Sequence, residues 1–293
     1  MTRLFVTGAN GQLGRATLRH LLETRKVDPQ DITAGSRTPS KLADLAVLGV
    51  ETRKADFDDI DSLVAAFSGM DRVLIISTDE LAAPGRRLAQ HKNAVEAAVK
   101  AGVKHIIYTS MPNPDRSLVS FAPDHLGTEE AIKASGLPYT ILRNAWYCDN
   151  YLTSMPHNLE TGNWYTAMGA GRVSNISRDD CALAAATVLA APPAENRILT
   201  LTGEASLGAA DIAAIVSDAS GKPLNVLDVS DEQLRQGLQA AGLPDFVTTM
   251  LVSADANIRA GNFDIVSDDF EAVTGRKPQT LRAFFEEHRQ ALI

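Results

Sequence analysis

The sequence predicts an α/β fold, a doubly wound parallel sheet followed by a smaller, mostly helical C-terminal cap. Three observations predict it. Up to about residue 145, short β-branched runs alternate with helix-length segments, the pattern of parallel strands joined by crossover helices. Several helical segments stop at a glycine, at positions 49, 69, 102 and 136, where a helix C-terminus favours that residue. Beyond 145 the alternation gives way to loop, short strand, and then mostly helix.

Six strands are expected in order: "RLFVT" (3–7), "DITAG" (31–35), "VETRK" (50–54), "RVLIIS" (72–77), "KHIIYT" (104–109) and "YTILR" (139–143). Each is short and apolar, as suits a sheet buried on both faces. Helices are expected near 13–24, 39–48, 59–68, 85–101 and 123–135, and right-handed crossovers make the doubly wound order the natural one. Farther on, "DDCALAAATVLAA" reads as a buried helix and "RILTLTG" as a strand that returns to the main sheet. The domain expectation is therefore a sheet domain over 1–155, with 170–203 returning to it, and a helical substrate-side cap over 204–293.

Composition narrows the function. A chain of 293 residues with 45% hydrophobic content can fill a substantial core. The net charge of −8, with no Lys/Arg cluster to offset it, repels phosphate backbones and anionic lipid, so neither nucleic acid nor a membrane is an expected partner. The longest apolar run, 182–191, is about half of the roughly 20 residues a membrane span needs. Met1 leads almost directly into the first strand, leaving no room for a signal peptide, and the two cysteines, Cys148 and Cys181, show no metal or disulfide spacing. A cytoplasmic protein is expected. The histidines also lack metal-ligand spacing, so no metal site is expected.

The first strand is followed by "TGANGQLG" and then a helix. Gly8 permits the tight strand-to-helix turn, Gly11 lets a pyrophosphate approach the backbone, and Gly14 lets the helix pack closely on the strand. Phosphate would rest on the helix N-terminus, so the segment carrying Gly8, Asn10, Gly11, Gln12, Leu13 and Gly14 reads as the dinucleotide-binding turn of a Rossmann domain. At the end of the second strand, where an acidic residue would take a ribose 2′-hydroxyl, stands "GSRTPSK". Arg37, with Ser36 and Lys41 nearby, supplies donors for a 2′-phosphate, which makes NADP(H) the expected cofactor.

The glycine spacing, "ADFDD" after the third strand, "LPYTILRNAWYCDNYL" after the fifth helix and "GRVSNISRDDCALAAATVL" resemble the NmrA-like family of atypical short-chain dehydrogenases. Its bacterial quinone- and triphenylmethane-reducing members are the nearest in kind. The resemblance covers nearly the whole chain. It implies that Asp56 and Phe57 line the adenine pocket, that Ser77 and Thr78 follow the fourth strand beside the cofactor, and that Asn144, Ala145, Trp146 and Tyr147 face the nicotinamide. Each has a plainer alternative: Asp56 as the cap of the helix near 59, Trp146 and Tyr147 as packing.

Ordinary short-chain dehydrogenases carry Tyr-x-x-x-Lys on the fifth helix, and the corresponding span here is Phe121-x-x-x-His125 in "FAPDHLGTEE". Without the phenol, a ketone loses an acid worth about 10²–10⁴ in rate. A quinone or cationic dye fits better, because hydride addition gives a weakly basic hydroquinone anion or simply neutralises a cation. A small aromatic acceptor such as a quinone is therefore the expected partner. For His125 two readings stand side by side: a group that holds ribose or relays a proton, neutral because it lies at a helix N-terminus, or an exposed side chain paired with Glu129 one turn on. A second function class also fits, an NmrA-type redox sensor that binds dinucleotide without turnover. A homodimer is an arrangement the sequence leaves open.

Overall fold

The structure, a computed structural model, describes residues 2–192 and 195–293. The six expected strands form at β1 (Leu4–Val6), β2 (Ile32–Ser36), β3 (Glu51–Lys54), β4 (Arg72–Ile75), β5 (His105–Ser110) and β6 (Tyr139–Asn144). Between them run α1 (Gln12–Arg19), α2 (Ala43–Val47), α3 (Ile60–Phe67), α4 (Arg86–Lys100) and α5 (Ala122–Ala134). After β6 come α6 (Tyr151–Thr161), β7 (Asn163–Thr166), β8 (Arg172–Val173), α7 (Arg178–Ala190) and β9 (Arg197–Leu201). The sheet order is β3-β2-β1-β4-β5-β6-β9, and the pairs among the first six strands are parallel. The chain thus winds outward from β1 to β3 and restarts beside β1 at β4. That reversal opens the crevice in which doubly wound sheets bind ligands. Among the described residues, no helix is long and apolar enough to cross a membrane.

Contacts divide the chain into two compact units. The first comprises Met1–Met111, Asp124–Arg143 and Asp179–Leu199. Phe5, Val73, Ile75, Ile106 and Tyr108 project from alternate positions of their strands into a core shared with Leu63, Phe67, Ala94, Ala98 and Ile132. α3 starts at Asp59, whose carboxylate accepts from Ser62 N, so Asp59 and not Asp56 caps it. α1 keeps α geometry only to Arg19, and His20–Thr24 then widens into a π turn, so the helix expected over 13–24 is not uniform. At that turn Arg19 and His20 both reach Asp179, while Arg72 donates to Leu189 O at 3.1 Å. These bonds tie both ends of α7 to the sheet unit.

The second unit comprises Pro112–Pro123, Asn144–Arg178 and Thr200–Ile293. Its division from the first differs from the expected boundaries at 155, 170 and 204. After Ala145, whose N–H still donates to Leu201 O of β9, the backbone pairs with its own continuation: Cys148 N donates to Ile176 O (2.9 Å) and Ile176 N to Trp146 O (3.2 Å). Residues 144–178 therefore stay together. Tyr151 packs edge-on against Trp164 and tilts against Phe285, forming an aromatic cluster within this unit. Asp255 is half-buried there and accepts from Thr166 Oγ1 (2.8 Å) and Ala167 N (2.7 Å). Burial pushes its carboxyl pKa up, against these two bonds.

Candidate cofactor and active site

The turn after β1 has the stereochemistry its glycines predict. Gly8 sits at φ +58°, a left-handed conformation that side chains resist. Its carbonyl accepts from Gly11 N at 2.9 Å, and Ala9 N donates to Gly35 O at 3.0 Å, fastening the turn to β2. A Cβ on Gly14 would lie 2.3 Å from Gly8 O, so only glycine lets α1 start this close to the strand. A Cβ on Gly11 would meet only Gly8 O, at 3.3 Å, because Gly11 faces outward. Gly11 is the N-cap of α1 and has no capping side chain, so the positive end of the helix is presented to an anion. Gln12 is exposed and Leu13 buried. Asn10 does not point away from the protein but accepts from Arg15 Nη2 at 3.1 Å, and Arg15 in turn pairs with Asp44 at 2.7 Å.

The remaining predicted residues of this unit follow the C-terminal ends of β2, β3 and β4. Ser36 Oγ accepts from Thr38 N at 3.1 Å, which shapes the bend that leaves Arg37 exposed. Asp56 forms an Asx turn, its Oδ1 accepting from Asp58 N at 3.1 Å, while its own N–H donates to Ser62 Oγ. Arg86 and then Gln90 hold the Asp58 carboxyl below its ordinary range, with the Arg37 charge a minor contributor. The ring of Phe57 belongs to the core cluster, and its carbonyl accepts from Asn93 Nδ2 at 2.9 Å.

Past β4 the backbone leaves the ladder, yet its N–H groups stay paired. Ile76 N donates to Thr7 Oγ1 (2.8 Å), Ser77 N to Thr109 Oγ1 (2.9 Å) and Thr78 N to His91 Nε2 (2.9 Å). Thr78 O accepts from Arg87 Nε at 2.8 Å. Arg87 also donates from Nη2 to His125 Nε2 at 3.1 Å, and His125 Nδ1 lies 2.8 Å from Tyr108 Oη. These partners assign the tautomers. A guanidinium and a backbone N–H only donate, so each Nε2 is an acceptor and each imidazole carries its proton on Nδ1. His125 therefore donates to Tyr108 Oη, and His91 to Thr128 Oγ1 at 2.9 Å.

His125 is 4% exposed, which corrects the reading of it as a surface residue paired with Glu129. Glu129 is engaged elsewhere, in a two-point pair with Arg143 (2.9 and 2.7 Å) and a bond from Ser110 Oγ (2.7 Å). Burial first, and then the Arg87 guanidinium beside it, hold the His125 pKa well below the ordinary value, so the ring is neutral. Burial and Arg87 likewise bring His91 down to about 3, and burial pushes the Tyr108 phenol upward.

The predicted nicotinamide-side residues lie in the second unit. Asn144 Nδ2 donates to Tyr147 Oη at 2.9 Å, and the Arg178 guanidinium lies 5.1 Å over the Tyr147 ring. Arg178 pairs with Asp149 at 2.9 Å, Ala145 N donates to Leu201 O, and Trp146 packs against Phe263. Asn144 is 6% exposed, and its Oδ1 is buried with no hydrogen-bond partner among the described residues.

Sequence reasoning passes over Gly35, Arg87, His91, Tyr108, Thr109 and Thr7. Gly35 carries a faint signal as a glycine inside a strand, and a Cβ there would lie 2.5 Å from the Phe5 ring. Arg87 and His91 carry another: they are spaced four apart on the helix stripe that continues through Ala94, Val95 and Ala98, an apolar face interrupted by Arg87, His91 and their buried neighbour Gln90. Nothing local marks Thr7 or Thr109 as acceptors for a segment far along the chain.

Comparison with known proteins agrees with this geometry. The NAD(P)H-binding family matches residues 8–192. The crystal structure of an NADPH-dependent quinone oxidoreductase from Escherichia coli, complexed with NADPH, superposes with a TM-score of 0.92 at 34% identity, covering 97% of this chain and 99% of that one. The Citrobacter sp. triphenylmethane reductase complexed with NADP(H) gives 0.91 at 35% identity, covering 98% and 99%. An NmrA-like family domain-containing oxidoreductase of Aspergillus flavus is 30% identical, covering 79% of this chain and 76% of its own. By its glycine cradle, its sheet order and these likenesses, the chain belongs to the NAD(P)H-binding family, among its NmrA-like oxidoreductases.

Proposed function

We propose that the protein is an NADPH-dependent reductase that passes hydride to a quinone or a similar flat aromatic acceptor. The observation that carries the acceptor class is the state of His125. Phe121 stands where the acid Tyr of the Tyr-x-x-x-Lys span is expected, and His125, at the Lys position on α5, is buried with its single proton turned to Tyr108. An acceptor whose reduction needs no strong acid suits that arrangement. The likeness to the quinone and triphenylmethane reductases supports the same class.

The residues present fit a dinucleotide phosphate. A Cβ at Gly14 would close the cradle, and the start of α1 carries no capping side chain. When bound, NADPH supplies a hydride, and a quinone takes it together with one proton from solvent to become a hydroquinone. The chain's own part is binding and orientation. The N-terminus of α1 takes the pyrophosphate, Arg37 takes the 2′-phosphate by charge-assisted hydrogen bonds, and Asp56 with the backbone at Phe57 borders the adenine. Ser77 and Thr78 hold the ribose on the other half. Asn144, Ala145, Trp146 and Tyr147 attend the nicotinamide and exclude water, so that the contribution to rate is chiefly proximity. A cytoplasmic setting goes with this reading.

The test is loss of NADPH absorbance when purified protein is offered a panel of small quinones with no flavin or metal added. Turnover with NADPH well above that with NADH is the expected result. Tight NADPH binding with no turnover on any quinone or dye would leave the sensor reading in its place.

A further inference from the structure

Three successive N–H groups after β4, at Ile76, Ser77 and Thr78, are taken by side chains from three different elements or their flanks: Thr7 after β1, Thr109 of β5 and His91 of α4. These acceptors are 0%, 2% and 0% exposed. Arg87, 5% exposed, donates to the Thr78 carbonyl, so the peptides on either side of the Thr78 Cα are held, one by its N–H and the other by its C=O, from adjacent turns of one helix. Side chains thus extend β4 where backbone pairing has ended. A buried guanidinium and two neutral imidazoles stabilise a fold less than apolar packing of the same volume would, so their use points to a requirement for position. The second α/β half, β4 to β6, carries the mononucleotide opposite the adenosine half on β1 to β3.

We propose that His91, Arg87, Thr109 and Thr7 are positioning residues of the cofactor site, fixing the Ile76–Thr78 peptides as a shelf for the nicotinamide half of the dinucleotide. This rests on the reading of the chain as an NADPH-binding protein, but not on the identity of its acceptor. His125 belongs to the same device: it accepts from Arg87 and so sets the angle at which the guanidinium meets Thr78 O. A locked shelf holds the nicotinamide ribose without cost at each turnover, whereas a loop free to move would have to be ordered on binding.

The test compares the whole cofactor with its adenosine half. NADPH and 2′,5′-ADP are titrated against the wild type and against His91→Leu, His91→Gln and Thr109→Val, with folding checked by circular dichroism. His91→Leu leaves the Thr78 N–H unpaired, and NADPH affinity should fall about tenfold, the scale of one unmade buried hydrogen bond. Affinity for 2′,5′-ADP should stay within about twofold, because that fragment touches only the other half. His91→Gln places an amide oxygen near the lost Nε2 and should recover most of the loss. Thr109→Val, close to isosteric, should repeat the selective loss and decides the matter if His91→Leu does not fold. A parallel fall for both ligands, or unchanged NADPH affinity in Thr109→Val and His91→Leu, overturns the proposal. Wild-type protein that binds NADPH but reduces no quinone would sink the acceptor reading while leaving this comparison decisive.

Discussion

Arg37 stands one residue past β2 and is exposed, and the contact proposed for it with the 2′-phosphate would be charge-assisted hydrogen bonds worth roughly 1.5–3 kcal/mol. Arg37→Ala should therefore weaken NADPH by about one to two decades and leave NADH nearly unchanged, read by titration of both cofactors. Equal losses would mean that Arg37 supports the local fold instead of reading the 2′-phosphate. His125→Ala makes the opposite kind of prediction. It opens a cavity and removes the acceptor of Arg87, so the melting temperature should drop and NADPH should bind more weakly. Turnover at saturating NADPH should fall by far less than the roughly 10²–10⁴ that an essential acid supplies. A collapse of turnover with stability and cofactor affinity intact would make His125 the acid after all. At this scale the sequence is legible where a proposed role rests on a residue's own type and place, as the proposed pairing of Arg37 with the 2′-phosphate does. It is not legible where action depends on what a residue touches: the one-turn spacing of His125 and Glu129 says nothing of Arg87 reaching one or Arg143 the other.

At the scale of the element, the glycine turn separates two roles that share one motif. Gly14 is closed in by backbone, 2.3 Å from Gly8 O for an added Cβ, so Gly14→Ala must move the turn or α1 itself. Loss of stability of about 1–3 kcal/mol, the usual cost of overpacking, should accompany loss of binding. Gly11 has only the 3.3 Å approach to the same oxygen and otherwise faces outward. Gly11→Ala should fold within about 1 kcal/mol of wild type yet lose most NADPH affinity, because the methyl group would stand where the phosphate is proposed to approach. Chemical denaturation and cofactor titration on the two variants check the pair, and identical profiles would refute the division of labour. Helix and strand positions agree with the periodicity because they rest on local geometry. The side-chain extension of β4 does not announce itself, since the acceptors for Ile76, Ser77 and Thr78 come from three separate stretches of chain.

For the molecule as a whole, the buried imidazoles make stability depend on pH. Burial and Arg87 hold His91 at about 3 in the fold against 6.5 for the free side chain, and His125 is shifted the same way. Below pH 6.5 the unfolded chain takes up protons that the folded one refuses, so stability is fully present above that pH and is lost as pH falls. The limiting slope is about 1.4 kcal/mol per pH unit for each such histidine. Carboxylates held low by cations, Asp58 by Arg86 and Asp71 by Lys104, add to the loss only at lower pH, while the raised Asp124 and Asp255 act against it. The denaturant midpoint should therefore decline between pH 6.5 and 4.5, and His91→Gln should flatten that decline. A midpoint constant down to pH 5 would contradict the burial of these two rings in neutral form.

The sequence by itself determined the sheet with its crossovers, the dinucleotide turn and the want of an acidic residue after β2, because each is written in contiguous residues obeying a local period or a local steric rule. The return to the sheet expected over 196–203 was legible as an apolar strand, and the structure forms it at β9, Arg197–Leu201. Only the tertiary structure decided where the second unit begins, because the pairing of Trp146 and Cys148 with Ile176 joins segments that share no local pattern. Only it decided the tautomers of His91 and His125, since these depend on a guanidinium and a peptide N–H brought in from elsewhere. A hydrogen bond between distant residues is fixed by the path of the backbone, and that path is a property of the packed chain rather than of any one stretch of it.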